Sequence, residues 1–150
     1  MKTFSLNPAT VSALHLTRSL PAAPSKVMKA WTDEKQLAQW WASDGFRLKS
    51  VTLKPKTGGE FRFEYENGLG EPSAVYGTFQ DASSEMLVFS WAREGKKADI
   101  GGTLVTVEFR KGAKGTELAL THELLPNSAV REAHRTEWLS RLERLGKLLG

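Results

Sequence analysis

The chain has 150 residues, of which 40% are hydrophobic and 25% are charged. These proportions are typical of a globular domain and exclude a disordered chain. The absence of cysteine excludes disulfides, thiolate metal sites and a cysteine nucleophile. The formal net charge of +4 is too small to indicate nucleic-acid binding by itself. We expect one domain over residues 1–150, with residues 1–10 as a loose lead-in.

No apolar run approaches the roughly 18 residues that a membrane-spanning helix needs, so no membrane span is predicted. The first residues also lack the apolar core of a secretory signal, because one lysine is followed by the mixed segment Phe4 to Pro8. Together with the lack of cysteine, these features predict a cytoplasmic location.

The N-terminal part predicts one strand and two short helices. Apolar and polar side chains alternate over residues 12–20, which is typical of a strand. Pro24 suits the first turn of a helix. A second short helix is expected to end at residues 43–45. Its apolar side would consist of Leu37, Trp40 and Trp41.

Six further strands are predicted in the middle of the chain. Two dipeptides that favour turns, Gly58-Gly59 and Asn67-Gly68, separate the first three of these strands. The short spacing between strands predicts an antiparallel meander. The expected strands are Leu48–Pro55, residues 61–66, Ala74–Asp81, Met86–Arg93, Thr103–Lys111 and Thr116–Glu123.

A long helix from Ser128 to Leu149 is expected to close the chain, with Asn127 or Ser128 as its cap. An apolar stripe runs along it, formed by Trp138, Leu142, Leu145 and Leu149. Most of its basic residues are expected on the other side, namely Arg131, Arg135, Arg141, Arg144 and Lys147. The element order predicts an α+β fold in which a curved antiparallel sheet of about seven strands wraps around this helix. Such a sheet and helix can enclose a hollow.

Several segments, taken in order and spacing, resemble one known superfamily. They include Arg18-Ser-Leu-Pro-Ala-Ala-Pro24, Val27-Met-Lys-Ala-Trp31-Thr-Asp33, Leu37-Ala-Gln-Trp40-Trp41, Gly58-Gly59-Glu-Phe61-Arg-Phe63, Tyr76-Gly77, Leu104-Val-Thr-Val107, Leu118-Ala-Leu-Thr-His122-Glu123 and Trp138-Leu139. The chain resembles the SRPBCC (START/Bet v 1-like) superfamily from about residue 14 to 149, and most closely the branch similar to the C-terminal domain of the activator of Hsp90 ATPase. This resemblance implies a helix-grip fold with an apolar cavity between sheet and helix. The superfamily includes lipid carriers, cyclases, hormone receptors and co-chaperone domains, so the fold alone does not fix an activity.

Strand alternation assigns candidate residues to the cavity wall, because successive side chains point to opposite faces. A wall lined by aromatic side chains is typical of a small-molecule pocket, although each residue alone also suits ordinary core packing. The candidate ligand-binding residues are Trp40, Trp41, Phe46, Phe61, Phe63, Tyr65, Tyr76, Leu87, Phe89, Trp91, Val105, Val107, Leu118, Leu120, His122, Trp138 and Leu142.

Four of the polar residues near this wall carry separate expectations. His122 is the one candidate for a general base or a hydrogen-bond donor to a ligand, and a satisfied core histidine is its structural alternative. Tyr65 and Tyr76 are expected to act as buried polar handles. Arg93 points inward by alternation, but its position at a strand end favours solvent.

Other chemistry finds little support in the sequence. The three histidines lack metal-ligand spacing, so no metal and no other cofactor is predicted. No serine lies in a nucleophile-elbow motif, and the Glu residues of the strands alternate outward. Four cations form a short basic run without an aromatic stacking platform, so a nucleic-acid partner is not expected. They are Arg47, Lys49, Lys54 and Lys56.

Three functions therefore remain open. The first is a module that binds an apolar or aromatic small molecule in the cavity, as a monomer or a homodimer. The second is a protein-interaction module similar to the Hsp90 activator domain. The third is a cyclase- or hydrolase-like enzyme that uses His122. We place it last because only one group that titrates near neutral pH points inward.

Overall fold

The computed structural model describes residues 12–42, 45–95 and 102–150. The predicted lead-in at residues 1–10, and residues 43 and 44 at the expected end of the second helix, lie outside these ranges. The elements in chain order are β1 (Ser12–Leu20), α1 (Pro24–Thr32), α2 (Glu34–Leu37), β2 (Phe46–Leu53), β3 (Glu60–Asn67), β4 (Pro72–Ala82), β5 (Met86–Gly95), β6 (Thr103–Gly112), β7 (Gly115–Leu125) and α3 (Ser128–Leu149).

The seven strands form one antiparallel sheet in the order β1-β7-β6-β5-β4-β3-β2. Strands β2 to β7 pair with their neighbours in sequence, and β1 adds to the far side of β7. This arrangement confirms the predicted α+β helix-grip fold, with the short helices after strand 1 and the long helix at the C-terminal end.

Helix α3 has the bounds that the sequence predicts, because its cap and its apolar stripe are both clear local signals. The side chain of Asn127 accepts a hydrogen bond from the backbone N–H of Val130 at 2.9 Å, which satisfies one donor of the first turn. Trp138, Leu142 and Leu145 are all fully buried. The stripe therefore faces the inner side of the sheet.

The segment around α2 differs from the prediction. Helix α2 is only four residues long, and Trp40 and Trp41 follow it in a turn. The carbonyl of Leu37 accepts hydrogen bonds from the N–H groups of both tryptophans, at 3.2 and 3.1 Å. Strand β2 begins at Phe46 rather than at Leu48, so the ring of Phe46 belongs to the sheet.

The outer face of the β2–β3 ribbon is an ordered set of charges. Arg47 and Lys49 lie 2.5 and 3.6 Å from the Glu66 carboxylate, and Arg62 lies 2.7 Å from Glu64. The hydrogen bonds from Arg62 and Arg47 hold the pKa values of Glu64 and Glu66 below the usual range. Part of the basic run is thus neutralised within the sheet.

Candidate functional site

Five tryptophans fill most of the space between the sheet and α3. The ring centroids of Trp31 and Trp40 are 4.8 Å apart, those of Trp41 and Trp138 are 5.6 Å apart, and those of Trp91 and Trp138 are 5.2 Å apart. All five side chains are at most 3% exposed. A hollow of about 20 Å³ remains among the surrounding apolar residues, which is room for roughly one water molecule. The interior is therefore a packed aromatic core.

This packing has a physical reason. An empty cavity of about 300 Å³ would cost roughly 7 kcal/mol at about 24 cal/mol per Å³. That cost is comparable to the whole stability of a domain, about 5–15 kcal/mol. The large indole rings remove most of this cost by occupying the space themselves.

The open space lies at one end of the grip, in a cleft of about 400 Å³ that we call the end cleft. It is bounded by β2, β3, β4, β5, α3 and the segment that follows α2. Its apolar wall consists of Trp41, Ala42, Phe46, Tyr65 and Pro72. The rings of Phe46 and Tyr65 meet edge to face with centroids 5.7 Å apart, which is a favourable geometry for an aromatic pair.

Three of the predicted wall residues line the end cleft, namely Trp41, Phe46 and Tyr65. Most of the others pack in the buried core, away from the cleft: Trp40, Phe61, Phe63, Leu87, Phe89, Trp91, Val105, Val107, Leu118, Leu120, His122, Trp138 and Leu142. The strand alternation thus identifies the inward faces. It does not distinguish the core from the cleft, because both lie on the same face of the sheet.

The expectation that Tyr76 is a buried polar handle is wrong. Tyr76 is 39% exposed and lies on the outer face of β4, where the guanidinium of Arg62 sits 5.9 Å from its ring centroid. Its neighbours in β4 explain this position. Val75 and Phe79 are 0% and 4% exposed and face inward, so alternation turns Tyr76 outward.

The inner end of the end cleft contains three charged side chains, namely Arg93, Glu137 and Arg141. The sequence predicts that the two arginines are exposed to solvent, which is wrong. Arg93 is only 8% exposed and Arg141 only 3% exposed. Arg93 forms an ion pair with Glu137, whose Oε1 also lies 3.7 Å from Nη2 of Arg141. The burial of Arg93 can be predicted from strand alternation, because Arg93 is on the same face of β5 as Leu87, Phe89 and Trp91. For Arg141 the signal is its position three residues after Trp138, which puts it on the buried face of α3.

The guanidinium of Arg141 lies among three indole rings. Its central carbon is 4.5, 5.0 and 5.5 Å from the ring centroids of Trp41, Trp138 and Trp91, respectively. These contacts are within the range of cation–π attraction. Burial lowers the pKa of Arg141 to about 10, so the side chain remains charged at neutral pH.

The hydrogen bonds of His122 fix its tautomer. The Thr103 hydroxyl donates to the carbonyl of Trp91 at 2.9 Å. Nε2 of His122, 2.9 Å from the same hydroxyl oxygen, must therefore donate to it. The Trp138 indole N–H donates to Nδ1 of His122 at 3.1 Å. His122 is thus a neutral imidazole with both ring nitrogens engaged.

These contacts favour a structural role for His122. Burial, aided by the nearby His134, lowers its pKa to about 2. A general base needs a free lone pair near a bound substrate and a pKa near the working pH. The lone pair of His122 already accepts a hydrogen bond from Trp138, and the residue does not line the end cleft.

His134 is also buried beside this cluster. Its Nδ1 lies 3.2 Å from Nη2 of Arg93, which can only donate. Burial, together with the charges of Arg93 and Arg141, lowers the pKa of His134 to about 3. Both histidines are therefore uncharged at pH 7. At the inner end of the cleft, two guanidinium groups face the single carboxylate of Glu137.

Three buried polar groups on residues that line the end cleft have no hydrogen-bond partner among the described residues. They are Nε1 of Trp41, Oγ of Ser73 and Nη1 of Arg141. Leaving a buried donor without a partner costs about 1–3 kcal/mol. A polar molecule in the cleft that reaches these covered atoms could recover part of this cost.

Other locations are less suited than the end cleft to binding an apolar small molecule. A second depression of about 640 Å³ lies on the outer side of β3, β4 and β5, with Lys54, Glu60, Arg62 and Tyr76 in its lining. These four side chains lie on the outer face of the sheet, and the depression, although partly apolar, is more open to solvent than the end cleft. Within the three described stretches, no group of three or more potential ligand side chains is arranged to hold a metal ion. None of the helices that the structure describes is long and apolar enough to cross a membrane.

Comparison with known proteins agrees with the fold described above. A family model described as activator of Hsp90 ATPase homolog 1-like protein matches residues 21–150. No curated protein matches the chain.

Solved structures share the fold at low sequence identity. A protein from Chromobacterium violaceum is 24% identical with a TM-score of 0.80, and the match covers 91% of this chain and 96% of that one. A protein from Rhizobium leguminosarum is 22% identical with a TM-score of 0.82, covering 93% and 94%. The AHSA1-like protein from Aeromonas hydrophila is 19% identical with a TM-score of 0.77, covering 91% and 90%.

Proposed function

We propose that this chain is a binding module for a small apolar or aromatic molecule. The chain belongs to the family of activator of Hsp90 ATPase homolog 1-like proteins, and the proposal starts from that membership. The observation that carries this proposal is the end cleft, about 400 Å³ in volume and walled by Trp41, Phe46 and Tyr65. Its volume lies within the range typical of ligand pockets, roughly 300–1,000 Å³. The packed tryptophan core beside it gives the cleft a rigid floor.

The cleft is better suited to binding than to catalysis. Binding an aromatic ring needs apolar walls and a few polar groups that fix its orientation. The end cleft offers both. Its inner arginines share the carboxylate of Glu137, and the neutral His122 is buried away from it. Among the lining residues that the structure describes, no nucleophile is paired with a base, as most acyl- or phosphoryl-transfer mechanisms need.

A simple test uses 2-naphthamide, a neutral bicyclic aromatic probe, with binding measured by saturation-transfer NMR and by calorimetry. Ala42→Trp should abolish binding because the added indole fills the cleft. Tyr65→Ala should weaken binding because it removes one aromatic wall. Tyr76→Ala is the matched control, since it removes the same side chain from the outer face and should leave the affinity unchanged. Equal binding by wild type and Ala42→Trp would place the probe elsewhere and reject the proposal.

A protein partner is the second candidate, because the family description names the activator of Hsp90 ATPase. The exposed large apolar side chains include Leu69, Leu124 and Leu139, which lie on a turn, on β7 and on α3 respectively. Such single apolar residues are normal on a protein surface. We therefore expect the ATPase rate of Hsp90 to stay the same when this protein is added. A saturable increase would favour the protein-interaction role.

A further inference from the structure

The end cleft is asymmetric, because its buried end differs in charge from its exposed side. At the buried end, Arg93 and Arg141 bring two positive charges and Glu137 brings one negative charge. On the exposed side lie two further carboxylates. Glu94 is paired with Arg62, and Glu71 accepts a hydrogen bond from Asn67. Among the described lining residues, the positive charge that is not fully matched thus lies at the buried end.

Arg141 is the side chain that leaves this charge unmatched. Its Nε lies 3.4 Å from the Trp41 carbonyl and its Nη2 lies 3.7 Å from Glu137, which are both long for hydrogen bonds. No acceptor for its Nη1 exists among the described residues. Indole rings surround the rest of the guanidinium. Arg141 also lines the end cleft, so a new acceptor would approach it from there.

From this geometry we infer that the ligand is an aromatic carboxylic acid whose carboxylate binds to Arg141 and whose ring lies against Phe46 and Tyr65. This inference rests on the proposed function and adds the chemical class of the ligand. A carboxylate is ionised at pH 7 and can accept two hydrogen bonds from one guanidinium. The unpartnered Ser73 hydroxyl, also in the lining, is a further donor for it. An amine in the same place would meet two guanidinium groups and be repelled.

The test compares two probes of nearly the same shape, 2-naphthoate and 2-naphthamide, by calorimetry at pH 7 and low salt. Wild-type protein should bind the naphthoate on the order of tenfold more tightly, because a charge-assisted hydrogen bond is stronger than a neutral one. Arg141→Met should lose this preference and keep the weaker binding of the amide. Arg135→Met is the matched control on the same helix, since Arg135 pairs with Glu132 outside the cleft, and it should keep the preference.

Glu137→Gln supplies a second variant whose effect cannot come from misfolding. Removing the carboxylate leaves the buried end more positive, so naphthoate should bind several-fold more tightly while the amide is little affected. If both probes bind equally to wild type, or if Glu137→Gln keeps its affinity for the amide but binds the naphthoate more weakly than wild type does, the inference fails and the proposed function stands. If neither probe binds, both fail.

Discussion

Two buried histidines should make the folded state sensitive to mild acid. His122 and His134 are fully buried, and burial holds their pKa values at about 2 and about 3. In the unfolded chain, a histidine has a pKa of about 6.5. Below pH 6.5 the unfolded state therefore binds protons that the folded state does not. The stabilisation is complete above this pH and is lost as the pH falls towards the folded pKa values.

The size of the effect follows from these pKa values. Between pH 7 and pH 4.5, the titration of each histidine should lower the free energy of unfolding by about 2–3 kcal/mol. The two together give about 5 kcal/mol, a large share of the stability of a domain of this size. His122→Gln removes one of the two titrating groups. Over the same pH range, this variant should lose only about half as much unfolding free energy from the histidines as wild type does.

Urea unfolding at pH 7 and pH 4.5, followed by tryptophan fluorescence, measures this difference. The loss is compared within each variant, so any offset that the substitution causes at pH 7 cancels. The exposed glutamates contribute equally to all variants and cancel as well. His15→Gln is the control, since His15 lies exposed on β1, and it should lose as much as wild type. An equal loss for His122→Gln and wild type would refute the assignment of His122 as a buried neutral group.

Two further substitutions test the fold. Asn127→Ala removes the cap of α3 and should lower the free energy of unfolding by about 1 kcal/mol. Thermal melting should show this as a lower midpoint. An unchanged midpoint would mean that the hydrogen bond to Val130 contributes nothing to stability. Gly77→Ala should destabilise the protein by about 1–3 kcal/mol or prevent folding, because a Cβ there would lie 1.9 Å from the Ser90 carbonyl oxygen. Gly68→Ala is the control, because a Cβ at residue 68 would have no heavy atom within 4 Å, and this variant should melt close to wild type. Equal melting temperatures of the two glycine variants would contradict the close approach of β4 and β5.

The sequence predicts the fold well because the deciding signals are local. Alternation over residues 12–20 and the stripe from Trp138 to Leu149 each need only a few neighbouring residues to be recognised. The turn glycines and asparagines then separate the strands. Because β2 to β5, and likewise β6 and β7, follow one another through short connections, few sheet orders remain possible.

The site is less predictable because it depends on how far the core fills the space under the sheet. Inward-facing residues such as Phe63 and Leu118 have the same pattern as those of the end cleft, and only the packing of five indole rings separates the two groups. The sequence assigns Arg93 to solvent because it lies at a strand end, and Arg141 because it lies outside the apolar stripe of α3. Their burial depends on Glu137 and on the indole faces around Arg141, contacts between distant parts of the chain that no local pattern reveals.

The most direct test of ligand binding in the end cleft uses the indole N–H signals of the five tryptophans in a two-dimensional ¹H–¹⁵N NMR spectrum. The Trp41 indole lines the cleft, and its N–H has no partner among the described residues. The Trp40 indole donates to the Ala30 carbonyl at 3.0 Å. Adding 2-naphthamide should shift the Trp41 signal more than the other four. An unmoved Trp41 signal, with shifts elsewhere or none, would contradict binding in the cleft.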